Sequence, residues 1–135
     1  MAGGLTYTSI DAVNLTTAEV YGQTLVQLGK QDPTIVGLSA DLAKSTKISV
    51  FANEFPERFY NVGIAEQNMF GISAGLAKAG LMPFVSTFGA FAALRACEQI
   101  RTDICYQNLN VKIIGTHSGL SFGAAGTTHH VTEDI

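Results

Sequence analysis

Residues 59–80 read FYNVGIAEQNMFGISAGLAKAG. The first part ends at Val62-Gly63, and from Ala65 onward small and apolar residues recur at helical spacing, with Met69, Ile72, Leu76 and Ala79 in register. This pattern predicts a strand, a tight glycine turn and a helix that begins beneath Glu66. In a first helical turn the orphan N–H groups and the helix dipole favour a carboxylate. Gly63 is a permissible N-cap three residues ahead, so capping alone is one account of Glu66. Gly71, Ala74, Gly75 and Ala77 expose little side chain, and glycine weakens a helix interior. That face therefore suits the close approach of another helix.

Working outward, Thr16 or Thr17 caps a helix in which Val20, Leu25 and Leu28 face inward and Gly29 helps to end it. Asp32-Pro33 marks a turn, and TIVGLSA (34–40) is a continuous apolar strand of the kind a parallel sheet buries on both faces. A polar loop, 41–46, leaves it. KISVFANEFP makes a short helix stopped before Pro56, and 58–62 is the next strand. After the helix that follows Glu66, LMPFVST (81–87) is a third strand. FGAFAALRACEQIRTDICYQ (88–107) reads as one long helix with Phe91, Leu94, Ile100 and Ile104 on its apolar side. Arg95, Glu98 and Arg101 on it suggest a solvated or interface ion-pair face. VKIIG (111–115) is a fourth strand, followed by a glycine-rich loop to His129-His130 and the start of another helix near Glu133. Alternating strands and helices predict an α/β fold, a doubly wound, mainly parallel sheet with helices on both faces. Residues 1–14 show no period and are expected to form an N-terminal arm; 15–135 form the domain.

With 135 residues, 47% of them hydrophobic and 14% charged, the chain has the material for one globular core. A net charge of −3 gives neither a basic footprint for nucleic acid nor a polybasic patch for a membrane surface. No apolar run reaches the length of a membrane span, and the first residues lack the pattern of a secretory signal, so a cytoplasmic location is expected. Cys97 and Cys105, on one helix, would stand ~12 Å apart, too far for a disulfide.

In a parallel sheet the strand ends bring Asp41 and Ser45, Glu66, Phe88 with Phe91, and His117 to one edge, where open α/β sheets bind their ligands. A carboxylate shielded by Phe88, Phe91 and Ile64, with few cations nearby, would exchange a proton readily. Two aromatics beside it suit a flat heteroaromatic ligand. Core filling is the other account of these rings. GLSFGAAG is neither a Walker loop nor a strand-to-helix dinucleotide turn. His129 and Glu133 lack a third metal ligand, and no metal site is expected in this chain.

SADLAKS (39–45), NVGIAEQNM (61–69), PFVSTFGAF (83–91), GTHSGL (115–120) and GTTHH (126–130), in this order, resemble the pyrimidine-binding domain of transketolases. The nearest likeness is to the separate C-terminal subunit of two-subunit forms. G-I-A-E followed by T-F-x-x-F discriminates best. The resemblance covers residues 15–135 and implies a fragment, since family members continue with further strands and a C-terminal domain. It implies that Glu66 hydrogen-bonds the aminopyrimidine of thiamine diphosphate and promotes removal of the thiazolium C2 proton. Phe88 and Phe91 would pack on the pyrimidine, with Ile64 and Asp41 close to the cofactor. Phe88→Ala is therefore expected to weaken cofactor binding more than thermal stability. His129 would contact the donor's oxygens, while His117 would line the substrate channel and Ser45 would help hold a sugar phosphate. The implied activity is transfer of a two-carbon ketol unit from a ketose to an aldose. Mg²⁺ and the diphosphate would be held by an N-terminal partner subunit, in a self-associating assembly such as a dimer. Ala18 stands where the family carries a phosphate-binding arginine. Ala125 replaces an acidic residue that reads the sugar, and His130 replaces a glutamine. These departures bear on the sugar and leave cofactor activation intact. The other readings are a 2-oxo acid dehydrogenase β subunit, a deoxyxylulose phosphate synthase, or a non-catalytic assembly domain with the same fold.

Overall fold

The computed structural model describes residues 15–133; the N-terminal arm lies outside them. Four parallel strands, β1 (Ile35–Ser39), β2 (Phe59–Asn61), β3 (Met82–Phe88) and β4 (Lys112–Thr116), lie in the order β2-β1-β3-β4. Every residue of β1 is buried, as its unbroken apolar run requires of a strand covered on both sides. Alternate β1 side chains feed two cores. Val36, Leu38 and Ala40 pack with Met69, Phe70 and Ala74 of α3 (Glu66–Lys78). Ile35, on the other face, packs with Leu25 of α1 (Thr17–Gln31), and with Ile48 and Phe51 at α2 (Ser49–Glu54). Helices thus lie on both faces of the sheet and cover its central strand, as a doubly wound fold demands.

Thr16 is the N-cap of α1. Its hydroxyl accepts from the Glu19 N–H at 3.3 Å, while the Glu19 carboxylate accepts from the Thr16 N–H at 2.9 Å, which completes a capping box. Gly29 does not end this helix, which runs on to Gln31. A Cβ at Gly29 would lie 2.7 Å from a Phe51 ring carbon and 2.9 Å from one of Phe55. The glycine serves close packing of α1 on the aromatic pair. Arg58 closes the same corner by donating to the Gly29 carbonyl at 3.1 Å with its guanidinium 3.8 Å over Phe55. On the sheet side, Tyr21 and Ser86 of β3 share a 2.6 Å hydrogen bond, and burial raises the Tyr21 phenol above its ordinary range.

The long helix expected over 88–107 is broken. Phe91–Arg95 forms a π turn, Ala96 bends out of helical geometry, and Cys97–Gln99 is a short α segment followed by a second π stretch over Ile100–Cys105. The wide turns close through Ala96 N–H to Phe91 C=O at 3.2 Å and Tyr106 N–H to Arg101 C=O at 2.9 Å. Ala92, Ala96, Ile100 and Ile104 all join the α3-side core at a spacing of four residues. A helix of about 3.6 residues per turn rotates such a stripe off its face by roughly 40° per step. Wider turns reverse that drift, and Leu94, expected inside, is turned outward at 55% exposure. Cys97 and Cys105 are exposed free thiols. On α3, Gly71 looks loosely towards Asp103 and the space at Gly75 is open, so the small-residue face is only partly covered. Thr132 and Glu133 are not helical, and the rest of the helix expected there falls outside the described residues.

Candidate functional site

The order β2-β1-β3-β4 means the chain leaves β1 to one side, returns, and continues on the other. The crevice beyond the carboxyl ends of β1 and β3 is therefore the topological switch point, where such sheets bind ligands. The loops that frame it are fastened together by Asn61, the last residue of β2. Its side-chain oxygen accepts from the Asp41 N–H at 2.9 Å and from the Gly63 N–H at 3.4 Å, and its amide donates to the Asp41 carboxylate at 3.3 Å. Both clasped residues have left-handed backbones, with φ of 62° at Asp41 and 75° at Gly63. This bond set holds the turn that delivers Glu66.

Gly63 is not the N-cap of α3. Ala65 takes that place, and no side chain bonds the cap. Glu66 is consequently free of capping duty. Its side chain is 1% exposed, and Oε2 accepts from an Arg95 guanidinium nitrogen at 2.7 Å. Oε1 is buried and has no hydrogen-bond partner among the described residues. Two sequence expectations change here. Glu66 has a cation beside it, and Arg95 does not belong to a solvated ion-pair face with Glu98 and Arg101. Glu98 instead accepts from Gln99 and Thr102. The Arg95 guanidinium also sits 4.0 Å over the Phe91 ring.

Asp41, Ile64, Glu66, Phe91, Arg95 and His129 line one cavity of about 230 Å³, so the segments that follow β1, β2 and β3 meet the loop after β4, as the topology predicts. Ile64 is 77% exposed at its mouth. Phe88 stands behind this wall as a buried hub. Its ring centroid lies 5.6 Å from Phe91, 4.5 Å from His117, 5.2 Å from Phe122 and 6.0 Å from His129. His129 stacks on Phe122 at 4.9 Å with Nδ1 2.8 Å from the Thr128 hydroxyl. His130 bonds the Gly123 carbonyl and holds the loop. His117 lines a second, larger cavity of about 620 Å³, with Thr17, Ala18, Tyr21 and Ser121 in its walls. Ser45 lies on an exposed turn and borders neither cavity.

Arg95, Phe122 and Asn61 were not anticipated as site residues. Phe122 has a signal in the sequence, an aromatic inside the glycine-rich loop GLSFGAAG. Arg95 left none, because its partner is 29 residues away in sequence. Chemically, the arrangement offers one shielded carboxylate oxygen without a donor, an aromatic surface and an imidazole along one small cavity. A ligand ring N–H or protonated ring nitrogen would satisfy Oε1, and exclusion of water would strengthen that bond. Among the described residues no three His, Cys, Asp or Glu side chains group as metal ligands, and no helix is long and apolar enough to cross a membrane.

Residues 13–135 match the family "Transketolase, pyrimidine binding domain". A protein of Methanocaldococcus jannaschii assigned as a transketolase C-terminal section is 52% identical over 115 residues, which cover 85% of this chain and 36% of that protein. A 1-deoxy-D-xylulose-5-phosphate synthase of Halothermothrix orenii is 43% identical over 122 residues, 90% of this chain and 19% of that one. A solved structure described as a split gene transketolase, inactive β4 tetramer, superposes with a TM-score of 0.74 at 56% identity, covering 87% of this chain and 37% of that one. The chain thus spans about a third or less of the length of these relatives.

Proposed function

The chain belongs to the transketolase pyrimidine-binding domain family, and on that premise we propose that it supplies the aminopyrimidine half of a thiamine diphosphate site for transfer of a two-carbon ketol unit from a ketose to an aldose. The observation that carries the reading is Glu66, a buried carboxylate at the switch point of the sheet with one oxygen lacking a donor among the described residues. Leaving a buried acceptor unpaired costs about 1–3 kcal/mol, and a ring nitrogen bearing a proton removes that cost. The residues present therefore fit the pyrimidine ring. Thiamine diphosphate, when bound, supplies a thiazolium carbon nucleophile that accepts the two-carbon unit.

This chain's own part is to bind, orient and shield. Glu66 Oε1 accepts from the ring nitrogen and shares its proton, a role that a dry environment strengthens. Phe91, supported by Phe88, gives the ring an apolar wall. His129, fixed against Phe122 on the loop after β4, is placed to hydrogen-bond a substrate oxygen as charge develops on it. Asp41 and Ile64 close the cavity on the β1 side. His117 borders the larger cavity and reads the substrate end, where Ala18 carries no charge. Ser45, on its exposed turn, reaches substrate only as the assembly brings it near.

The diphosphate and Mg²⁺ are assigned to an N-terminal partner subunit, because a diphosphate clamp needs oxygen ligands and cations that the cavity walls do not group. The split-gene relative described as an inactive β4 tetramer supports a subunit that self-associates and needs a partner for turnover. A second reading, a deoxyxylulose phosphate synthase, is favoured by the 43% relative and shares the same Glu66 chemistry. Product analysis separates the two. The natural full-length protein is titrated with thiamine diphosphate and Mg²⁺, alone and with the partner subunit. Ketol transfer should appear only in the pair, and Glu66→Gln should slow exchange of the C2 proton by orders of magnitude. Wild-type exchange in Glu66→Gln, or turnover by the subunit alone, refutes the reading.

A further inference from the structure

Glu66 has two acceptor oxygens, and among the described residues one of them has a donor. The donor is Arg95, whose guanidinium nitrogen lies 2.7 Å from Oε2. Three features hold that donor in place. The π turn over Phe91–Arg95 closes through the Ala96 N–H to the Phe91 carbonyl and inserts one extra residue ahead of Arg95. The guanidinium carbon is held over the Phe91 ring, 4.0 Å from its centre. Leu94, the preceding residue, points to solvent at 55% exposure, so the arginine is the side chain this turn directs at the carboxylate. Arg95 and Phe91 also stand together between two hollows, the Glu66 cavity and a neighbouring one of about 320 Å³ bordered by Thr127, Thr128 and His130.

We propose that Arg95 is the positioning residue for Glu66: by occupying Oε2 it fixes the carboxylate's rotation and leaves Oε1 as the acceptor offered to a ligand's ring nitrogen. This rests on the thiamine diphosphate reading above. The plane of a free carboxylate can turn about its last bond, and that rotation is broad. A planar guanidinium anchored by an aromatic ring fixes that plane, because its donors point in fixed directions. Lysine would keep the charge without the planar fork or the stacking, so the two cations are not equivalent here. The placement depends on the widened turn, since an α-helical turn without the added residue would rotate the 95 position by about 100°.

The test compares two ligands on the assembled full-length enzyme by calorimetric titration. One is thiamine diphosphate; the other is its analogue with a carbon in place of the pyrimidine nitrogen that faces Glu66. Arg95→Met should weaken thiamine diphosphate roughly tenfold or more, the scale of a misdirected charge-assisted hydrogen bond. It should leave the carbon analogue within about twofold, within the spread of a surface substitution. Arg95→Lys should lose the same discrimination to a smaller degree, and it decides the comparison if Arg95→Met does not assemble. Equal losses on both ligands would show general damage and overturn the proposal. So would unchanged or tighter thiamine diphosphate binding in Arg95→Met, which would make the guanidinium a plug in the ring's place. Glu66→Gln is the internal control. If it also fails to separate the two ligands, the cofactor assignment falls and the proposal with it. If it separates them and the Arg95 variants do not, the proposal falls alone.

Discussion

Replacing Phe88 by alanine tests whether this ring is a ligand wall or a structural hub. Phe88 is 4% exposed and closes β3, with four ring neighbours between 4.5 and 6.0 Å. Core Phe→Ala changes cost about 3–5 kcal/mol. Three of the four neighbours, His117, Phe122 and His129, sit on loops after β4 that can relax inward. The lower end, about 3 kcal/mol, is therefore expected, and it corresponds to a fall in Tm of roughly 10 °C. Phe91 is half-buried, and its truncation removes one edge of the cluster, so Phe91→Ala should cost about 1–2 kcal/mol. Urea unfolding of the full-length protein, followed by circular dichroism, measures both, with Phe88→Leu as a control that keeps most of the volume. This reverses the expectation drawn from the resemblance, in which Phe88→Ala weakens ligand binding more than stability. Phe91→Ala becomes the variant whose ligand affinity suffers more than its fold. A Phe88→Ala protein as stable as wild type, or less affected than Phe91→Ala, would refute the hub.

His129→Ala should preserve thiamine diphosphate affinity and C2 exchange while lowering donor turnover; tight stoichiometric zinc on the wild-type chain would contradict this role. Thr16→Ala should destabilise the protein by about 1 kcal/mol through loss of the capping box, and a Tm within error of wild type would refute it. The Asp32 carboxyl is held below its ordinary range, first by the Thr34 hydroxyl and then by the Thr34 N–H. A depressed carboxylate contributes stability that is present above its unfolded-state pKa and is lost as pH falls through the folded value. Asp32→Asn should therefore flatten the decline in Tm below about pH 4, and an unchanged acid limb would count against the bond.

The fold was legible because its signals are local. The apolar run of β1, the turn at Gly63 and the helix from Glu66 each follow from neighbours in sequence, and alternation of elements does the rest. The site was legible as far as topology carries it: strand ends converge whatever their side chains contact. What escaped depends on contacts distant in sequence. The spacing of Arg95 to Glu98 and Arg101 predicts a solvated or interface ion-pair face only if the helix is unbroken, and it is not. Gly29 resembled a helix stop because glycine serves both termination and close approach, and only the Phe51 and Phe55 rings distinguish the two. Ser45 illustrates the opposite limit, a residue assigned by likeness alone that the chain by itself leaves on the surface.

The π turn at Phe91–Arg95 also bears on how this chain is to be aligned. A widened turn absorbs one residue without disturbing the elements on either side, so a relative with an ordinary α turn here would be one residue shorter and otherwise in step. Alignments that slide the gap by a single position would exchange Leu94 and Arg95, matching a solvent-facing side chain to the one that grips Glu66. Placing that gap within 91–96, by geometry and not by identity, decides whether an arginine in another chain is its counterpart.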